Sequence, residues 1–246
     1  MTLVLALDTS AEACAVAIVE DGAALARTTR AMTRGHAEAL MPMIGEAMDR
    51  AGRRLADVGL IAVTTGPGSF TGVRTGIAAA RGLALGTGAP AVGVSALAAV
   101  AAAAFAPEAG GEAGGAVLCV LETRRRDYFA QLFTGAGGGE PEAASEPAVL
   151  DAAAVSRLAM ARGHAPPRFA GNAVVRLASE LGGLPGDGVA LPAVTLPDPV
   201  LVAALGATIA ARLAGTGEKG LEDTLSPLYL RPPEAKLPEA GGRLRR

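Results

Sequence analysis

The chain has 246 residues, of which 50% are hydrophobic and 19% charged, enough apolar side chain for one large domain or two lobes with a real core. A formal net charge of -2 excludes a strongly basic surface that would hold a polyanion unaided, so a nucleic-acid partner would need another protein to supply much of the positive charge. The longest apolar run, residues 94–106, falls short of the ~20 residues of a membrane helix, and the start lacks the basic and cleavage pattern of a signal peptide; both point to the cytoplasm.

Residues 3–8 read as a short buried strand, 13–19 as a second and 23–29 as a third, with Asp21-Gly22 as the hairpin turn between the last two. Leu40, Met43, Ile44, Ala47, Met48 and Ala51 recur at three- and four-residue spacing, the mark of one buried helix face, and Pro42 is expected to kink that helix near its start. Residues 60–64 read as a strand, 71–85 as a helix, and 91–94 as a strand that runs into a third, Ala-rich helix. This order, three antiparallel strands then helix, strand, helix, strand, helix, resembles the ribonuclease-H-like unit of actin and the sugar kinases.

The pattern then restarts. Residues 117–122 end in Glu122-Thr123 as the first strand ends in Asp8-Thr9, and 128–133 follow as a hairpin mate. Helices are expected at 151–161, 173–181 and 199–214, with a short strand at 168–170. The expected fold class is therefore α/β, an actin-like ATPase fold duplicated into two lobes. Residues 1–106 would form the first lobe and 107–231 a degenerate second one, with the last helix able to pack back on the first lobe. Residues 108–115 read as a linker, 135–147 as a low-complexity loop and 232–246 as a disordered tail.

The strongest local feature is the Gly-rich turn Thr65-Gly66-Pro67-Gly68-Ser69-Phe70-Thr71-Gly72-Val73-Arg74-Thr75-Gly76 between a strand and a helix. Two readings are open: backbone N–H groups offered to a phosphate at a helix start, or a tight capped turn. The turn lacks the Gly-Lys-Ser/Thr ending of a P-loop, and Thr71 stands where a dinucleotide fingerprint needs its third glycine. In the helix that follows, Gly72, Gly76, Ala80 and Ala84 recur every fourth position. A glycine inside a helix costs about 1 kcal/mol relative to alanine, so close approach by another element, in this chain or a partner, is expected to offset it.

Asp8-Thr9-Ser10 closes the first strand either as an ordinary turn or, by analogy with actin-like ATPases, as the acid and hydroxyls that meet Mg-ATP. In the second lobe Glu122-Thr123-Arg124 is a weaker counterpart, and Gly171-Asn172 is the candidate for a phosphate loop. Cys14 and Cys119 lie in apolar runs, and His36 and His164 are the chain's two histidines, so imidazole or thiolate metal ligation is not supported. Ser95, in Gly93-Val94-Ser95-Ala96-Leu97, misses the second glycine of a nucleophile elbow.

Leu5-Ala6-Leu7-Asp8-Thr9-Ser10-Ala11-Glu12-Ala13-Cys14, Gly66-Pro67-Gly68-Ser69-Phe70-Thr71-Gly72-Val73-Arg74, Gly93-Val94-Ser95 and Pro227-Leu228-Tyr229-Leu230-Arg231 together closely resemble the TsaB (YeaZ) family. The resemblance is dense over residues 3–101, thin through the second lobe, and returns at 227–231. It implies a cytoplasmic, non-catalytic subunit that binds and activates the paralogue TsaD, with the ATPase TsaE joining the complex. That complex transfers threonylcarbamoyl to the adenosine beside the anticodon of tRNA, which this chain would meet only through the assembly. A homodimer is a further possibility when the partner is absent.

The catalytic paralogue carries a His-x-x-x-His metal pair at the start of its third helix, and the matching positions here are Ala96 and Val100, which cannot ligate. The resemblance therefore implies no catalytic residue, no metal and no required cofactor in this chain, with ATP and metal handled by partner subunits. In the family the first two helices of the first lobe pair with their counterparts in the partner. Carried over, His36, Leu40, Met43, Ile44 and Ala47, with Gly72, Val73, Gly76, Ile77, Ala80 and Leu83, would supply that surface. Asp8, Thr9 and Ser10 would remain as a vestigial nucleotide site, and Glu122 stands where relatives often have Asp. The alternative is an enzyme, either an actin-like ATP-dependent phosphotransferase using Asp8 or a peptidase-like hydrolase.

Overall fold

A computed structural model describes residues 2–109, 115–135, 141–161, 166–216 and 220–231. The expected tail, His164, and residues 110–114 and 136–140 of the expected linker and loop lie outside the described residues.

The first sheet is built from β1 (Leu3–Ala11), β2 (Ala13–Glu20), β3 (Ala23–Ala31), β4 (Leu60–Thr64) and β5 (Ala91–Val94), in the order β3-β2-β1-β4-β5. β1, β2 and β3 form an antiparallel meander, and β4 and β5 add in parallel beyond β1. Parallel strands need crossovers, and α1 (His36–Ala51) and α2 (Phe70–Thr87) provide them on one face. Alternation along β1 sorts its side chains: Leu3, Leu5 and Leu7 join the α1–α2 core, while Val4 and Ala6 face the opposite layer. Both faces being covered, β1 and β4 read as unbroken apolar runs.

The opposite layer is α3 (Ala96–Phe105) together with α6 (Pro199–Thr216), which returns from the far end of the chain to lie across β1, β2, β4 and β5. Gly206 permits this approach, since a Cβ there would sit 2.5 Å from the Cβ of Ala62. The second sheet has the order β10-β6-β7-β8, from β10 (Arg168–Ala170), β6 (Ala116–Glu122), β7 (Tyr128–Gly135) and β8 (Pro141–Ala143), with β9 (Ala148–Leu150) also paired to β7. α4 (Ala152–Met160) and α5 (Val174–Leu181) cover one face through Val155 and Leu177. α3 covers the other through Leu97, Val100 and Phe105, and so belongs to both halves of the molecule.

One expectation needs correction. The segment read as a loop at 135–147 contributes the end of β7 and all of β8, because the edge of β7 supplies partners to three residues that have no period of their own. Helix α1 continues through Pro42, which lies on its exposed side near the start, where the missing N–H leaves the carbonyl of Glu38 without its helical partner. Among the described residues no helix is long and apolar enough to cross a membrane.

Candidate functional site

The Gly-rich turn is packed hard against the end of β1. A Cβ on Gly68 would lie 2.1 Å from the carbonyl oxygen of Ser10, and one on Gly72 would lie 2.0 Å from that of Thr9. On Gly76 it would meet Thr9 Oγ1 at 2.5 Å. Two of the turn's donors are engaged locally: Ser69 N donates to the Ser10 carbonyl at 2.7 Å, and Gly72 N to Ser69 Oγ at 3.3 Å, capping α2. Thr9 Oγ1 donates to the Gly72 carbonyl at 2.7 Å. The turn is thus capped by Ser69, and the helix glycines Gly72 and Gly76 are explained inside the chain.

Asp8 does not face solvent. Its Oδ1 accepts from Ser10 N at 3.0 Å, Ser10 Oγ at 2.6 Å and Thr64 Oγ1 at 2.5 Å, while Oδ2 is buried without a partner among the described residues. Burial pushes this carboxyl above its ordinary value, and the hydrogen bonds from Ser10 and Thr64, with the charge of His36, only partly offset it. Of the three residues expected as a vestigial nucleotide site, only Ser10 lines the cleft; Asp8 and Thr9 lie behind it. The constellation does not fit a metal-bound triphosphate, because a metal-ligating acid would have to reach the cleft.

That cleft, about 630 Å³, lies between the end of the first sheet and the β6–β7 corner. Its near wall includes Ser10, His36 and Phe70, and its far wall Glu122, Arg124 and Arg231. Glu122 and Arg231 in the far wall are paired within the chain. Asn172 Oδ1 accepts from Glu122 N at 2.9 Å, and Arg176 Nε pairs with Glu122 at 2.8 Å. Gly171 brings Asn172 there at a positive φ of 118°, where a Cβ would lie 2.1 Å from the Val120 carbonyl. Gly171-Asn172 therefore braces β6. Burial would raise the Asp127 carboxyl, yet hydrogen bonds from Thr123 and Arg231 hold it below the usual carboxylate range.

The residues expected as the partner surface are corrected by their burial. His36, Leu40, Met43, Ile44 and Ala47 of α1, and Gly72, Val73, Gly76, Ile77, Ala80 and Leu83 of α2, are the buried faces of those helices and close over this chain's own sheet. Apolar periodicity reports that a face is covered, not what covers it. The outward faces carry Ala37, Met41 and Gly45 on α1, and Ala78, Gly82 and Leu85 on α2. Met41 is 49% and Leu85 90% exposed, and a Cβ on Gly45 or Gly82 would meet nothing within 4 Å.

Sequence reasoning missed the partner of Arg74. Phe70 and Arg74 meet Tyr229, which lies 155 residues beyond Arg74, in an exposed aromatic and cationic cluster at the start of α2. The only signal was that Pro227 to Arg231 resembled the same family as the Gly-rich turn. Burial pushes both thiols up, Cys14 to about 11 and Cys119 further, and neither lies in the cleft. Among the described residues no group of three or more His, Cys, Asp or Glu side chains is placed to hold a metal.

Comparison with known proteins places these features. The family model of the tRNA N6-adenosine threonylcarbamoyltransferase, TsaD, matches residues 28–212. The tRNA threonylcarbamoyladenosine biosynthesis protein TsaB of Escherichia coli (strain K12) is 45% identical over 94 residues, 38% of this chain and 40% of that protein, so the match spans less than half of the curated relative. The solved structure of YeaZ from Pseudomonas aeruginosa superposes with a TM-score of 0.77 at 33% identity, covering 94% of this chain and 100% of that one. An inorganic polyphosphate/ATP-glucomannokinase from Arthrobacter sp. strain KM, at 16% identity and a TM-score of 0.53 over 85% of this chain and 100% of that one, shares the fold alone.

Proposed function

The chain belongs to the TsaB (YeaZ) family, and from that membership we propose that it is the non-catalytic subunit that binds and activates a TsaD-type paralogue for threonylcarbamoyl transfer to tRNA. The observation that carries the non-catalytic reading is the start of α3. Ala96 and Val100, the positions matching the paralogue's metal pair, are fully buried in the apolar cluster of Leu97, Ala101 and Phe105, and offer no nitrogen, oxygen or sulfur to a metal. ATP and metal would be handled by the paralogue and a TsaE-type ATPase, and tRNA would be met through the assembly. The buried position of Asp8 supports this over the phosphotransferase alternative, which would use Asp8 at the cleft.

Docking would use the outward faces of α1 and α2. Exposed glycines in the middle of helices lower helix stability with no packing reason among the described residues, and a second helix lying close against Gly45 and Gly82 would supply one. The same faces would serve a homodimer when the partner is absent. The test is calorimetric titration of the purified paralogue with the wild-type chain and with Gly82→Gln. We expect the variant to bind at least tenfold more weakly; equal affinity would reject these faces as the docking surface.

A further inference from the structure

We infer that Arg74, held by Phe70 and by Tyr229 from the C-terminal segment, is the cationic anchor of the docking surface and receives a carboxylate of the catalytic paralogue; this rests on the docking reading above.

Tyr229 is not a loose end. Upstream, Leu225 is buried beside α2, and Thr224 Oγ1 accepts from Gly93 N at 2.8 Å. Leu228 N donates to the Thr65 carbonyl at 2.8 Å, and downstream Arg231 pairs with Asp127 of the second lobe. Between these fixed points the Tyr229 ring stacks on Phe70 with centroids 5.5 Å apart. The guanidinium carbon of Arg74 lies 3.7 Å from the Phe70 ring centre and 5.6 Å from that of Tyr229, and Arg74 Nε donates to Tyr229 Oη at 2.6 Å.

The two rings nevertheless remain 56% and 47% exposed. Among the described residues no carboxylate pairs with Arg74, so the outer edge of a planar five-donor group is open to a bidentate acceptor. Three side chains that usually lose much freedom on binding are thus ordered beforehand, which lowers the entropic cost of association. Tyrosine and arginine are also the types that most often dominate binding energy.

Position and charge select the occupant. Arg74 begins the outward stripe of α2 that continues through Ala78, Gly82 and Leu85, so the cluster is continuous with the docking face. The transferase family model spans residues 28–212, which include both α1 and α2, so a partner of that family has counterparts of both helices. In this chain Glu38 and Asp49 are exposed on α1, whose Arg50 is turned to Thr28 of β3, while α2 exposes Arg74 and Arg81. Pairing like folds about a pseudo-twofold axis would bring an acidic first helix to a basic second one.

The test is titration of the full chain into the purified TsaD-type paralogue, comparing wild type with Arg74→Ala, Arg74→Lys, Tyr229→Ala and Gly82→Gln at two salt concentrations. We expect Arg74→Ala to raise Kd at least tenfold and flatten its salt dependence. Arg74→Lys, which keeps the charge and loses the fork, should fall between, and Tyr229→Ala should follow Arg74→Ala in direction. Unchanged Kd for Arg74→Ala and Arg74→Lys, with Gly82→Gln still defective, would overturn this inference and leave the docking surface standing. Unchanged Kd for all four variants would overturn both. If Arg74→Ala leaves the paralogue's Kd intact and instead weakens tRNA binding by the assembled complex, the cluster serves RNA and the inference is equally overturned.

Discussion

Gly72 and Gly82 sit in the same helix for opposite reasons. Gly72 lies where a Cβ would be 2.0 Å from the Thr9 carbonyl, so Gly72→Ala must push α2 away from β1, and overpacking of this kind costs about 1–3 kcal/mol. Urea unfolding should show a loss of about 2 kcal/mol for that variant, despite alanine's better helix propensity. Gly82→Gln should instead raise stability by about 0.5 kcal/mol while weakening docking, a sign reversal that no general folding defect reproduces. Periodicity in the sequence shows both glycines as small residues on a helix; only the distance to β1 separates them.

Asp8 gives a second prediction at this scale. Its folded pKa is raised above the ordinary value of 3.8, so between 3.8 and the folded value the folded state holds a proton that the unfolded state has released. Stability contributed by this group is therefore greatest at low pH and falls as pH rises through that window. Relative to Asp8→Asn, the wild type should lose urea resistance as pH rises above 3.8; parallel profiles would mean that the carboxyl is not penalised by burial. The sequence identified Asp8 as the acid closing β1 but not its direction, which is set by Ser10 and Thr64 wrapping one oxygen.

Among the elements, strand and helix identities followed from period and turn chemistry, and β4, β5 and β10 span the ranges read from the sequence. What could not be read was which neighbour covers each face. His36 through Ala47 and Gly72 through Leu83 show a buried stripe whether the cover is a partner helix or the chain's own sheet. β8 and β9, three residues each, exist because β7 offers an edge. The C-terminal segment was equally hidden, because its hold on α2 comes from single contacts far apart in sequence. Leu225 is its buried anchor at 3% exposure, so Leu225→Ala should cost about 2–4 kcal/mol in chemical unfolding and loosen Tyr229 from Phe70. Asp127→Asn, which weakens a half-exposed ion pair with Arg231, should cost less than about 1 kcal/mol.

Across the whole molecule, α3 and α6 decide the architecture. α3 packs on both sheets, and α6 crosses back over the first, so one helix layer is shared by the two lobes. The duplication was legible from repeated strand endings, Asp8-Thr9 and Glu122-Thr123, but the roles of those endings diverge: Asp8 is sealed in, and Glu122 is paired with Arg176. Ala96 and Val100 are buried in the apolar cluster between the lobes, and the role proposed for the chain is that of a docking surface. The central claim is tested most directly by following threonylcarbamoyl transfer from its adenylate to tRNA with the purified paralogue alone, this chain alone, and both together. The account predicts sustained transfer only with both; transfer by this chain alone, or full activity of the paralogue without it, would contradict it.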